Sequence, residues 1–111
     1  MNTKAYLEAL RQTGLPVYHH NTKAMPRMPY MTYTEYGERY AKANNRIDDT
    51  IILVQLDLFT DKTDKAAKKT VKEALDTAGV VFTYTMQVEN EDNDKDNVYL
   101  HHIFDCEVYE A

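Results

Sequence analysis

The clearest pattern in this chain is an alternation of apolar residues over positions 50–59, TIILVQLDLF. One side of the predicted strand carries an apolar residue at every second position, namely Ile52, Val54, Leu56 and Leu58. The opposite side mixes apolar with polar residues, namely Ile51, Leu53, Phe59, Gln55 and Asp57. Because the removal of apolar surface from water is favourable, we expect another element or another subunit to cover this second side.

Two further strands are predicted near the C-terminus by the same periodicity. Residues 80–88 and 97–109 alternate apolar and polar positions, and the polar segment between them predicts a hairpin loop. In the last strand, His102 and Cys106 fall on the apolar side, whereas His101 falls on the polar side.

Shorter strands are predicted nearer the N-terminus, in residues 17–20 and 30–36. The second is rich in residues that favour β-structure. It opens after Pro29, which cannot donate a backbone hydrogen bond, and this indicates a position at a sheet edge. Residues 37–49 are polar, and the Asn44–Asn45 pair predicts a turn within them.

Two segments have the spacing of amphipathic helices. Residues 3–13 place Tyr6, Leu7 and Leu10 on one face, and Gly14 ends the segment. The second helix is predicted over residues 62–78.

This second helix has Thr60 or Asp61 as its expected N-cap and Gly79 as its expected stop. Its apolar stripe is narrow and consists mainly of small residues, namely Ala67, Val71, Ala74, Leu75 and Ala78. A stripe rich in alanine lets a helix pack close to a sheet.

The order of these elements, α-β-β-β-α-β-β, predicts an α+β fold in a single domain, residues 1–111. We expect an antiparallel or mixed sheet of about four to five strands with both helices packed on one face.

Composition and charge narrow the possible functions. The formal net charge is −5 and no cluster of Lys and Arg stands apart from a helix, which argues against binding nucleic acid through its phosphates. The longest apolar run, residues 51–54, is too short to span a membrane, and the N-terminus has no apolar signal segment. A single cysteine, Cys106, fits synthesis in a reducing cytoplasm.

An acidic segment offers the first candidate site for a ligand. Asp92, Asp94 and Asp96 have the spacing that opens a calcium-binding EF-hand loop. The pattern then fails, because Asn97 replaces the glycine of the sixth position and Ile103 replaces the glutamate of the twelfth. We interpret the segment as a solvated hairpin tip.

The four histidines form two adjacent pairs, His19–His20 and His101–His102. Adjacent residues of a strand point to opposite faces, so neither pair is expected to chelate one metal ion. We predict a buried His102, a surface His101 and a Cys106 that acts as a small buried apolar residue.

The chain also contains no G-x-S-x-G motif, P-loop or glycine-rich dinucleotide turn. We therefore predict no enzymatic activity, no cofactor and no metal site.

Tyrosine is in excess, with nine tyrosines and no tryptophan. Tyrosine combines an apolar ring with a polar hydroxyl and suits protein interfaces. Our candidate assembly interface joins the tyrosines around the predicted edge strand to the second side of the long strand, namely Tyr30, Tyr33, Tyr36, Tyr40, Ile51, Leu53 and Phe59. The alternative is ordinary packing at the rim of the core.

Several short phrases carry a resemblance to a known family. They are TGLPVYH after the first helix, MPYMTY, NNR, ILVQLDLFTDKTD, and the closing ALDTAGVVFTYTMQVENEDNDKDNVYLHHIFDCEVY. In order and spacing, residues 4–109 resemble the tail completion proteins of long-tailed bacteriophages and prophages of Gram-positive bacteria. These proteins are also described as tail-to-head joining or tail terminator proteins.

The resemblance implies an α+β structural subunit of the virion, made in the cytoplasm of the bacterial host. It implies a homo-oligomeric ring, usually of six copies, that caps the tail tube and docks on the head connector protein. DNA would pass through such a ring without specific binding. The family offers no catalytic residues.

Three alternatives stay open from the residues alone. The closest is a head-closure or connector protein of a phage. A small intracellular adaptor would use the same tyrosines to bind one protein partner. An enzyme that uses His19, His101 or Glu107 is the least favoured.

Overall fold

The structure is a computed structural model that describes residues 3–20, 26–43, 46–90 and 97–110. Its helices are α1 (Thr3–Arg11) and α2 (Ala66–Thr77). Its strands are β1 (Val17–His19), β2 (Tyr30–Ala43), β3 (Arg46–Asp61), β4 (Val81–Asn90) and β5 (Val98–Glu110). The predicted Asn44–Asn45 turn and the acidic segment with Asp92, Asp94 and Asp96 lie outside the described residues. Neither helix is long and apolar enough to cross a membrane.

The strands form one sheet in the order β1-β2-β3-β5-β4. β1 runs parallel to β2 and pairs with it only from Met31 to Tyr33. All other neighbours are antiparallel, and β3 lies at the centre of the sheet between β2 and β5. The sheet is therefore mixed, and with two helices it confirms the predicted α+β class and the order of the elements.

Both helices pack on one side of the sheet, which we call the helix face; the opposite side is the far face. The core on the helix face comprises Tyr6, Leu10, Met31, Val54, Leu56, Leu58, Ala67, Val71, Leu75, Val80, Phe104, Cys106 and Val108. The Tyr6 hydroxyl donates a hydrogen bond to Cys106 Sγ at 3.5 Å, so α1 is joined to β5 by a polar contact as well as by packing.

Helix α2 begins later than the sequence predicts. Asp64 accepts hydrogen bonds at Oδ1 from the backbone N–H groups of Ala66 and Ala67, at 3.0 and 3.1 Å, and so caps the helix. Asp61 accepts from the N–H and the hydroxyl of Thr63 and closes a turn before the helix. The expectation that Thr60 or Asp61 is the cap was wrong, because the nearer aspartate satisfies the free N–H groups of the first turn.

Strands β2 and β3 are longer than predicted. Their pairing continues through residues 37–43 of β2 and 46–49 of β3, to the pair Ala43↔Arg46. Backbone hydrogen bonds between antiparallel strands do not depend on apolar side chains, which explains why the sequence pattern missed this extension. A register shift between Glu35 and Gly37 leaves Tyr36 as an extra residue, a β-bulge in β2.

Replacement of a core residue tests this packing. Leu75 is fully buried on α2. Leu75→Ala should therefore lower the free energy of unfolding by about 2–5 kcal/mol, through lost burial and a residual cavity. Thr77→Ala, at an exposed position of the same helix, should change it by less than about 0.5 kcal/mol. Urea titration followed by circular dichroism measures both, and equal effects of the two substitutions would contradict the assigned helix face.

Candidate assembly surface

Two stretches of strand edge have no neighbouring strand in the described part of the chain. β4 is the last strand of the sheet, and its outer side is unpaired along Val81–Asn90, which we call the β4 edge. On the other side of the sheet, β1 covers only Met31–Tyr33 of β2. No described strand pairs with the outer side of residues 34–43, which we call the β2 edge. The backbone N–H and C=O groups of such edges can pair with a strand of another chain.

Exposed apolar side chains are concentrated on these two edges. The described residues contain seven large apolar side chains that are exposed, and five of them lie on the β2 and β4 edges, namely Tyr36, Tyr40, Val81, Met86 and Val88. The most exposed is Val88, at 63%. Strand edges that also carry apolar side chains are favourable surfaces for association.

The seven residues of the predicted interface fall into three groups. Tyr36 and Tyr40 are exposed, at 55% and 48%. Tyr33, Leu53 and Phe59 are half-buried. Tyr30 and Ile51 are buried, at 4% and 2%, by other side chains of the same chain. The structure therefore corrects the expectation that Tyr30 and Ile51 would be available to a partner.

Aromatic contacts explain the burial of Tyr30. Its ring stacks on Phe59 of β3, with centroids 4.9 Å apart, and meets the Tyr18 ring edge-on at 6.2 Å. Tyr33 lies on the helix face instead and stacks on His19 at 4.6 Å. The tyrosines at the start of β2 thus cover the subunit's own sheet, whereas those beyond Tyr33 are left exposed.

The β4 edge is the part of the surface that sequence reasoning missed. Phe82, Tyr84, Met86 and Val88 share the apolar side of their strand, as the alternation over residues 80–88 indicates. In the structure Phe82 and Tyr84 pack against the core, but Met86 and Val88 are exposed. Periodicity gives the face of each residue but does not show how far a helix extends over it.

A polar cluster on the far face joins three strands. His101 of β5 lies between Asp57 of β3 and Glu89 of β4, with 2.7 Å from His101 Nε2 to Asp57 Oδ1 and a short hydrogen bond from His101 Nδ1 to Glu89. The Phe59 ring stacks on the imidazole at 4.5 Å. The Tyr99 hydroxyl donates to the second carboxylate oxygen of Glu89 at 2.9 Å.

Two opposing effects act on the His101 imidazole. Burial lowers its pKa, but the hydrogen bonds and charges of Asp57 and Glu89 outweigh burial and raise the pKa above the ordinary value of 6.5. The two carboxylates approach opposite nitrogens of the ring, so they bridge strands through the imidazole and do not converge on one point as metal ligands would. The prediction of a surface His101 was wrong, since its side chain is only 16% exposed.

The neighbouring His102 lies on the helix face and is buried, as the sequence predicts. Its two ring nitrogens are hydrogen-bonded to the hydroxyls of Thr60, at 2.9 Å, and Tyr84, at 2.8 Å. Burial, together with the nearby Lys68 and His101 charges, lowers its pKa. The imidazole is therefore held neutral as part of the core.

The other histidine pair does not follow the strand rule. His19 and His20 stack on each other with ring centroids 3.8 Å apart, because His20 has left the strand with φ +61° and its side chain turns back. The expectation that these two side chains point to opposite faces was wrong.

No described residues bring together three or more His, Cys, Asp or Glu side chains in a group that could hold a metal ion. Cys106 is buried on the helix face of β5, and burial raises the pKa of its thiol to about 11. A thiol held protonated in this way is a poor nucleophile, which agrees with the predicted role of Cys106 as a buried apolar residue.

No protein-family model matches the chain, and no curated protein matches its sequence.

The polar cluster predicts a pH dependence of stability. Because folding raises the His101 pKa, the folded chain holds this proton more tightly than the unfolded chain does. The resulting stabilisation is complete below pH 6.5 and is lost as the pH rises through the raised pKa. The free energy of unfolding of wild type should therefore fall over that interval, and His101→Gln should remove this fall.

Urea titrations at several pH values measure the effect, with His19→Gln, an exposed histidine, as the control that keeps the wild-type slope. Parallel pH profiles for wild type and His101→Gln would exclude the charged bridge.

Proposed function

We propose that this chain is a structural virion subunit that assembles head to tail into a ring, as a tail completion protein that caps the phage tail tube and joins it to the head connector. The observation that carries the proposal is that one sheet has, on its two sides, two different strand edges that no described strand covers, the β2 edge and the β4 edge. The resemblance of residues 4–109 to tail completion proteins supports the same role.

The topology favours a head-to-tail contact between copies. β2 and β5 run in one direction and β3 and β4 in the other. When copies are related by rotation about an axis along the strands, the β2 edge of one copy meets the β4 edge of the next in antiparallel orientation. An interface between two different surfaces produces a ring when the rotation closes.

The exposed side chains support the same contact. Tyr40 on the β2 edge and Met86 and Val88 on the β4 edge would leave water when the edges pair. Burial of apolar surface stabilises association by about 25 cal/mol per Å² before the entropy lost on binding is subtracted. Backbone pairing would fix the register of the contact, and these side chains would add to its stability.

Light scattering of the purified chain over a concentration series, alone and with tail tube protein, tests the proposal. We expect a species close to six times the subunit mass of 12.9 kDa, alone or on the tube. A chain that stays monomeric and does not bind tail tube protein at any concentration would contradict the tail-ring role. It would favour the head-closure or adaptor alternatives.

A charge placed on the β4 edge should weaken the ring. Val88→Asp replaces the most exposed apolar side chain with a carboxylate. It should raise the concentration at half-assembly by at least about tenfold, equivalent to ~1.4 kcal/mol. Gln12→Asp adds the same charge at an exposed site just after α1 and should leave assembly unchanged. Equal assembly of the two variants would show that the β4 edge is not the interface.

A further inference from the structure

A basic groove runs along the β4 edge on the helix face. It has a volume of about 560 Å³, and its apolar floor is formed by Met86 and Leu100 beside His102. Its wall is the side of α2 and the turn before it, with five lysines, namely Lys62, Lys65, Lys68, Lys69 and Lys72. Three carboxylates also line it, namely Asp64, Glu73 and Asp76. The groove is therefore locally positive in a chain whose net charge is −5.

Two of the lysines are held directly above β4. Lys68 Nζ lies 4.6 Å and Lys72 Nζ 6.0 Å from the centroid of the Tyr84 ring, within reach of a cation–π attraction. Lys69 is turned toward Glu73, at 4.0 Å. Lys68 and Lys72 therefore place positive charge over a side chain of β4.

The β2 edge carries the opposite charge on the same face. Glu35 pairs with Val54 and Glu38 with Ile52, both of which pack on the helix side, so the two glutamates project from the helix face. Both are exposed. The Tyr40 hydroxyl donates to Glu38 Oε2 at 2.6 Å, which places an aromatic ring beside the carboxylate.

We propose that the basic groove receives the β2 edge of a second copy of this chain, with Glu35 and Glu38 of one copy opposite Lys68 and Lys72 of the next. This inference rests on the proposed function, because it names the contacts that would hold the ring together. When the sheet continues from one copy to the next by rotation, the helix faces of all copies lie on the same side of the continuous sheet. The glutamates of one copy and the lysines of the next therefore project on that same side.

The strand registers make the match specific. An antiparallel pairing that sets Glu38 opposite Met86 also sets Tyr40 opposite Tyr84. The bulge at Tyr36 makes Glu35 and Glu38 only two positions apart in register, as their partners Val54 and Ile52 show. Glu35 then lies opposite Val88. The three side chains thus cover the stretch of β4 that borders the groove. Among the described strands, β1 pairs with β2 only at Met31–Tyr33 and does not reach the part of β2 that carries these side chains.

The electrostatic complement would act mainly on specificity and on the rate of association. Charge pairs at the rim of an interface are screened by salt, with a Debye length of about 10 Å at 0.1 M. Assembly of wild type should therefore weaken as ionic strength increases, whereas a contact between apolar side chains alone would not.

Charge reversal on both sides of the contact tests the inference. The groove variant is Lys68→Glu with Lys72→Glu, and the edge variant is Glu35→Lys with Glu38→Lys. Each variant alone places like charges across every interface, and each should need at least about tenfold more protein for half-assembly than wild type. An equimolar mixture should assemble at the wild-type concentration, because every interface of an alternating ring then regains opposite charges.

The matched control for the groove variant is Lys4→Glu with Arg11→Glu on α1, which makes the same change in net charge at exposed positions outside the groove and should assemble like wild type. Recovery in the mixture shows that both variants fold. If circular dichroism shows that either variant is unfolded, both charge reversals are replaced by neutral substitutions. The groove variant then becomes Lys68→Gln with Lys72→Gln, and the edge variant becomes Glu35→Gln with Glu38→Gln. Each should again weaken assembly.

The outcomes separate this inference from the proposed function. Wild type that assembles while both reversed variants assemble equally well would overturn the groove contact alone. Wild type that forms no ring, with or without tail tube protein, would overturn the proposed function and the groove contact together.

Discussion

The pairing of β3 with β2 on one side and with β5 on the other is the interaction on which the rest of the structure depends. It aligns Leu56 with Phe104 and so creates the apolar surface on which both helices pack. The same pairing brings Asp57 next to the strand that carries His101, which in turn meets Glu89. The core on one face and the charged cluster on the other are therefore consequences of a single register.

The elements that pack on this surface could be predicted because burial leaves a periodic record in the sequence. The alternation over residues 50–59 and the stripe of α2 both correspond to side chains in the core. The ends of helices and strands that are set by hydrogen bonds were harder to predict from the sequence. The start of α2 depends on which aspartate reaches the free N–H groups, and the length of β2 depends on its partner strand.

The candidate surface was harder to predict. Which strands lie at the edges depends on the order of strands in the sheet, and no short sequence pattern indicates that order. The tyrosines of β2 look alike in the sequence, yet Tyr30 is covered by Phe59 while Tyr36 and Tyr40 are exposed. His101 reads as a surface residue because its carboxylate partners lie 44 and 12 positions away in the chain. Only the register of β3, β5 and β4 brings the three together.

The bulge at Tyr36 has a consequence for the subunit before it meets any partner. A long regular edge strand invites pairing with any other edge, including those of incompletely folded chains, and leads to aggregation. A bulge increases the local twist and interrupts the even spacing of backbone donors and acceptors. The free subunit thus presents an edge that accepts only a strand of matching curvature, and we expect it to stay in solution at concentrations where a flat edge of the same length would precipitate.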